Sequence, residues 1–211
     1  MALKRPEGMT DEEFIERANE KARKKKAARD KILATKTIEK GLLIIHTGPG
    51  KGKSTAAFGM VFRALGNGMK VGVVQFVKGK WETGERAVLE KFPDQCVIRS
   101  MGEGFTWETQ DRERDIAAAK AAWSMAMEMI NDPSFDMVLL DELNICLRYE
   151  YLDLEEVVAA LQARREMLHV IVTGRNAKDA LIDAADLVTE MGQVKHPFRE
   201  QNVKAQVGVE F

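Results

Sequence analysis

From Gly41 onward the chain alternates between two kinds of apolar pattern. The first is a short run that is apolar throughout: "GLLIIH", "KVGVVQFV", "CVIRS", "DMVLLDE" and "HVIVTG". These runs lack the every-second-residue polarity of a strand with one wet face. They fit strands of a parallel sheet covered on both sides. The second kind carries apolar residues three and four apart, as in a helix. It covers "STAAFGMVFRALG", "ERAVLEKF", "DRERDIAAAKAAWSMAMEMIN", "LDLEEVVAALQARREM" and "NAKDALIDAA". Gly66 ends the first of these helices, and Asp132–Pro133 stops the long one. Asp153 and Glu156 form a cap pair at the start of another. "DLVTEM" and the terminal "VKAQVGVEF" read as two further strands. Strands alternating with helices predict βαβ units and a mostly parallel sheet with helices on both faces.

Residues 1–38 follow a different rule. "MTDEEFIERANEKARKKKAARDKILA" is rich in helix formers and poor in apolar positions, and Thr10 with Glu13 makes a capping box. The segment reads as a charged helical arm, either solvated or docking over a site or a partner subunit. With no internal repeat and no Pro- or Gly-rich linker, residues 39–211 read as one α/β domain behind that arm.

Composition narrows the function classes. The 211 residues are 45% hydrophobic and 31% charged, which is ordinary for a globular protein. Net charge is −1, so the chain as a whole is not built for nucleic acid or an anionic membrane, although positions 21–31 are strongly basic. No apolar run approaches the roughly 20 residues of a membrane span, and the N-terminus lacks the apolar segment of a secretory signal. Cys96 and Cys146 lie in apolar surroundings and fit buried, reduced thiols. His46, His169 and His196 have no metal-ligand spacing and read as structural. These features describe a soluble cytoplasmic protein.

The chemistry concentrates in "HTGPGKGKSTAAFG", after the first strand and at the opening of the first helix. A standard phosphate loop reads G-x-x-x-x-G-K-[ST]. Gly52, Lys53 and Ser54 supply its end, but Thr47 stands where its first glycine belongs, with Gly48 and Gly50 shortly after. Glycines let successive backbone N–H groups turn toward an anion, and the helix N-terminus adds positive charge. Residues 47–55 (Thr47, Gly48, Pro49, Gly50, Lys51, Gly52, Lys53, Ser54 and Thr55) form the expected nucleotide cradle. In it Lys53 is the phosphate cation and the Ser54 hydroxyl a Mg²⁺ ligand. "MVLLDE" brings Asp141 and Glu142 to the carboxyl edge of the sheet, where one of the two can hold the metal. Arg175 follows the fifth strand on the same edge and reads either as an anion contact or as a surface cation. Phe105 and Trp107 lie in a glycine-flanked loop, "MGEGFTWETQ", and either pack on the core or line a site for a flat ligand. Together these features describe a P-loop NTPase-like (RecA-like) α/β protein.

"TGPGKGKSTAAFG", "VGVVQFVKGKWETGER", "GFTWETQ", "DMVLLDELN", "YLDLEEV", "VIVTGR" and the terminal "VKHPF…VKAQVGVEF" occur in this order over residues 41–211. In this set the chain resembles the ATP:corrinoid adenosyltransferases. The resemblance implies transfer of the 5′-deoxyadenosyl group of ATP to the Co(I) centre of a corrinoid, with release of triphosphate. It implies that Lys53, the loop amides and a Mg²⁺ on Ser54 and Glu142 stabilise the departing triphosphate, with Asp141 metal-linked or structural. It implies that Phe105 and Trp107 lie beneath the corrin and displace the lower axial ligand of Co(II), making reduction easier. Lys78, Trp81 and Glu85 would belong to the wall of the corrinoid site, and Arg175 would lie near the nucleotide or triphosphate. The chain departs from the resemblance at Pro49, where relatives often carry Asn, and at Ser54, where Thr is common. Further implications are a reduced flavin or flavoprotein as electron donor, a homodimer, and no tightly bound cofactor. An ATPase or small-molecule kinase, and a nucleotide-regulated corrinoid carrier, are the alternatives.

Overall fold

The computed structural model describes residues 5–77, 83–100 and 111–209. Residues 1–39 and 40–211 form separate compact units. In the first, α1 (Asp11–Leu33) opens on the expected capping box, in which the Thr10 hydroxyl accepts from the Glu13 N–H and the Glu13 carboxylate accepts from the Thr10 N–H. None of its residues is buried. With no apolar stripe, its helicity rests on propensity, the cap and i,i+4 pairs such as Glu20–Lys24.

The second unit holds a six-stranded sheet. Its strands are β1 (Leu43–Thr47), β2 (Val71–Gln75), β3 (Cys96–Ser100), β4 (Met137–Asp141), β5 (His169–Thr173) and β6 (Leu187–Glu190). The order is β3-β2-β4-β5-β1-β6, and all five pairings are parallel. Side chains alternate across it, as strand geometry requires. Leu43, Ile45, Val138 and Leu140 point into one core, shared with α4 (Arg112–Asn131), α5 (Leu143–Arg148), α6 (Leu154–Gln162) and α7 (Asp179–Ala184). Ile44, Val71, Val73, Leu139 and Ile171 point into the other, under α2 (Lys53–Gly66) and α3 (Gly84–Leu89). This is the expected doubly covered parallel α/β fold.

Three local readings need correction. The terminal segment is not a strand over its described part: Gly208 takes a left-handed φ of 80°, a turn closes from the Val209 N–H to the Gln206 carbonyl, and Val207 and Val209 are exposed. The helix expected over 152–167 stops at Gln162, because the Arg164 guanidinium reaches back to the Leu161 carbonyl and sideways to the Gly41 carbonyl, turning the chain into the sheet. Two short helices had no sequence signal strong enough to read, α5 and α8 (Pro197–Gln201).

Candidate functional site: the phosphate loop and the carboxyl edge

β1 runs straight into the glycine loop, and α2 begins at Lys53. The left-handed conformations that make the loop turn fall on Gly48 (φ 99°) and Gly52 (φ 104°). Thr47 closes β1 in ordinary extended geometry, so glycine is not required there. The inner side of the loop is walled by backbone. A Cβ on Gly48 would sit 2.6 Å from the Met191 carbonyl oxygen, and one on Gly50 would sit 2.5 Å from that of Gly192. The Gly50 N–H donates to the Met191 carbonyl at 2.7 Å, and the Met191 N–H donates to the Thr47 carbonyl at 2.8 Å. The exit of β6 therefore supports the loop from behind.

Lys53 is 6% exposed, and its ammonium donates to the Gly48 carbonyl at 3.0 Å and the Gly50 carbonyl at 2.5 Å. Burial lowers its pKa, Arg175 lowers it further, Glu142 opposes the shift and Lys51 adds to it. An anion in the loop would relieve both the desolvation and the cation crowding. Lys53 thus feels Arg175, Glu142 and Lys51 in one electrostatic neighbourhood. Ser54 is half-buried in the first turn of α2, whereas Pro49, Lys51 and Thr55 are exposed.

The acidic strand end lies two strand spacings from β1, about 10 Å, with β5 between them. Its two carboxylates have different environments. Asp141 is fully buried; its Oδ1 accepts from the Thr173 hydroxyl at 2.8 Å and its Oδ2 from the Gln75 amide at 3.3 Å. Glu142 leaves the strand in a left-handed conformation, φ 66° and ψ 18°, rare for a residue with a side chain. Its N–H donates to the Thr173 hydroxyl at 2.9 Å. The Glu142 carboxylate lies over Gly174, where an added Cβ would come within 3.3 Å of Oε2. Of the pair, Asp141 is held by bonds inside the sheet, while Glu142 is half-buried with its Oε2 beside Gly174 at the exit of β5.

Past Thr173, the exit of β5 is pinned on both flanks. The Asn144 amide donates to the Gly174 carbonyl at 3.1 Å, and the Ala177 N–H donates to the Thr47 hydroxyl at 3.0 Å. Gly174 (φ 125°) and Asn176 (φ 56°) are both left-handed, and Arg175 lies between them.

Sequence reading missed Gln75, Thr173 and Asn144. The signal was present for two of them, since "VGVVQ" and "VIVT" each end an apolar strand on a polar residue, like "LLIIH" and "MVLLD". In the sheet, Gln75 pairs with Asp141 and His46 with Thr173, so these ends form one polar row at the carboxyl edge. His46 is 6% exposed, with neither ring nitrogen hydrogen-bonded, and burial lowers its pKa. His169 plays a fold role: its Nδ1 accepts from the Leu42 N–H.

Glu85 stands half-exposed in the first turn of α3, and no hydrogen bond or ion pair among the described residues ties it to the loop. Lys78, Trp81, Phe105 and Trp107 lie outside the described residues. Both thiols are buried, and burial pushes Cys96 to about 11 and Cys146 to about 12.

A family model described as ATP:corrinoid adenosyltransferase BtuR/CobO/CobP matches residues 39–211. A corrinoid adenosyltransferase of Sinorhizobium sp. is 61% identical over 90% of each chain. One from Pseudomonas aeruginosa is 56% identical over 93% of this chain and 96% of its own. One from Escherichia coli K12 is 47% identical over 96% of this chain and 100% of its own.

Proposed function

Since this chain belongs to the ATP:corrinoid adenosyltransferase family, we propose that its carboxyl edge holds ATP by the triphosphate and passes the 5′-deoxyadenosyl group to the cobalt of a reduced corrinoid. The observation that carries the reading is the cation-rich neighbourhood of the walled loop: buried Lys53, with Arg175 and Lys51 close enough to depress its pKa. Such a site suits an anion whose charge grows as it leaves.

The electron pair of Co(I) forms the cobalt–carbon bond to C5′. The C5′–O bond breaks, and its electron pair departs on inorganic triphosphate, leaving cobalt formally Co(III). The nucleophile comes with the corrinoid, so the chain's work is positioning and charge stabilisation. Lys53, Arg175 and amides of the loop hold the triphosphate, apart from Pro49, which has no N–H, and Gly50, whose N–H donates to the Met191 carbonyl. The Ser54 hydroxyl and the Glu142 carboxylate suit Mg²⁺, which takes one or two carboxylates and completes its shell with phosphate oxygens and water. The described residues contain no cluster of three or more His, Cys, Asp or Glu that would suggest a more demanding cation. When bound, Mg²⁺ would neutralise triphosphate charge. The inward-facing Asp141 supports Glu142 rather than competing for the metal.

Phe105 and Trp107 would flank the corrin and exclude its lower axial ligand, with Lys78, Trp81 and Glu85 in the surrounding wall. A reduced flavin or flavoprotein donor, a homodimeric assembly and a cytoplasmic location complete the reading. Among the described residues no helix is long and apolar enough to cross a membrane.

The test mixes the protein with Mg·ATP and chemically prepared cob(I)alamin. Loss of the Co(I) spectrum, a light-sensitive alkyl product and stoichiometric triphosphate are expected. ADP with unchanged corrinoid would instead identify a kinase or ATPase, and binding of both ligands without turnover a carrier.

A further inference from the structure

We propose that Thr47, the residue standing in place of the generic first glycine, is a positioning residue that sets Arg175 against the triphosphate. The backbone at Thr47 is extended, so the position has no need of glycine and is open to a side chain. Thr47 is 7% exposed, and its hydroxyl accepts from the Ala177 N–H, past the exit of β5, at 3.0 Å. The segment it anchors makes two left-handed turns within four residues, at Gly174 and Asn176. Such a path is held only by specific anchors. On the β4 side these are the Thr173 hydroxyl, bonded to Asp141 and to the Glu142 N–H, and the Asn144 amide on the Gly174 carbonyl. Thr47 supplies the anchor on the phosphate-loop side, and Arg175 is strung between the two. Thr47 also accepts the Met191 N–H on its carbonyl, so one residue ties the loop to both neighbouring strand exits. A glycine could make the backbone bond but not the hydroxyl bond. The departure from the generic motif thus couples the loop that binds the anion to the segment that carries a second cation.

The proposal rests on the reading that Arg175 meets the triphosphate, and the test separates the two. Binding of inorganic triphosphate to the full-length protein is measured by calorimetry for wild type, Thr47→Val, Thr47→Ser, Arg175→Ala and the Thr47→Val/Arg175→Ala double variant. Losing the acceptor for a partly buried N–H predicts about tenfold weaker binding for Thr47→Val, while Thr47→Ser stays within about twofold of wild type. The double variant should bind no more weakly than Arg175→Ala alone, because Thr47 acts through Arg175. Wild-type affinity in Thr47→Val, or a double variant weaker by the product of the single effects, overturns the proposal. Unchanged binding in Arg175→Ala overturns it too, but by removing the role of Arg175. Adenosyl transfer by the wild-type protein then shows whether the reading of function stands without it. Thr47→Ala removes the same acceptor and replaces the valine variant should that fail to fold.

Discussion

At the scale of the residue, the polar row across the strand ends divides into partners and one exception. Gln75, Asp141 and Thr173 hold one another, whereas His46 is buried without a hydrogen bond on either ring nitrogen. Burial favours the neutral imidazole, so the folded pKa lies below the ordinary 6.5. Above that range the folded and unfolded imidazoles are both neutral, and the residue makes no pH-dependent contribution. Below it the unfolded chain takes up a proton that the folded site resists, so stability falls as pH falls. His46→Phe, of similar shape, should flatten this part of the profile and leave stability near neutral pH equal or higher. Denaturant unfolding of both proteins from pH 8 to 5 checks this; parallel profiles would show that His46 is not the titrating group. Placements that follow from chain-local chemistry could be read from sequence: Lys53 and Ser54 in the first turn of α2, Gly48 and Gly52 at the turns of the loop, and the acidic pair at the end of β4. Gln75 and Thr173 carried a signal as polar strand ends, but their partners could not be read, and Asn144 not at all, because those partners come from elements brought together only by the sheet order. Nor could sequence show the different settings of Asp141 and Glu142, since Asp141 finds its partners on β2 and β5 and Glu142 takes a left-handed backbone.

At the scale of the element, the sheet was legible because its strands are apolar on both faces, and that pattern admits few alternatives. The opposite edge of the sheet is fastened by a device that no periodicity reveals. Asp186 accepts from the Leu43 N–H, from Arg164 and from Lys40, joining the start of β1, the chain entering β6 and the turn after α6. These donors hold its carboxyl below the ordinary 3.8, the Lys40 bond foremost. Its contribution is therefore present throughout the neutral range and is lost only as pH falls through the lowered value. Asp186→Ala should destabilise the fold by about 2 kcal/mol at pH 7, by loss of charge-assisted bonds and exposure of their donors. Denaturant unfolding with an unchanged m-value would register it, and a change under about 0.5 kcal/mol would show the cluster to be no stronger than a surface pair. The two short helices escaped sequence reading for the same reason. α5 starts from the left-handed Glu142 and α8 from His196 without a side-chain cap, so neither carries a local start signal beyond Pro197.

At the scale of the whole molecule, the division at residues 39 and 40 separates a unit with no buried side chain among its described residues from one with two cores. Neither core includes a described residue of the first unit, so the melting temperature of a chain lacking residues 1–39 should stay within about 3 °C of the full chain. A larger fall by calorimetry would mean that the arm contributes to the stability of the second unit. Function was legible at this scale because the ordered set of motifs runs through the whole second unit, and the family match covers the same stretch. A last consequence follows from the backbone wall behind the phosphate loop, where Gly48 and Gly50 lean on Met191 and Gly192. The conformational entropy of that loop is surrendered when the chain folds, not when a ligand arrives. A triphosphate bound there as proposed would meet a pre-organised cradle. On the proposed function, its affinity would be set by how Lys53 exchanges the Gly48 and Gly50 carbonyls for phosphate oxygens, rather than by the ordering of a floppy segment.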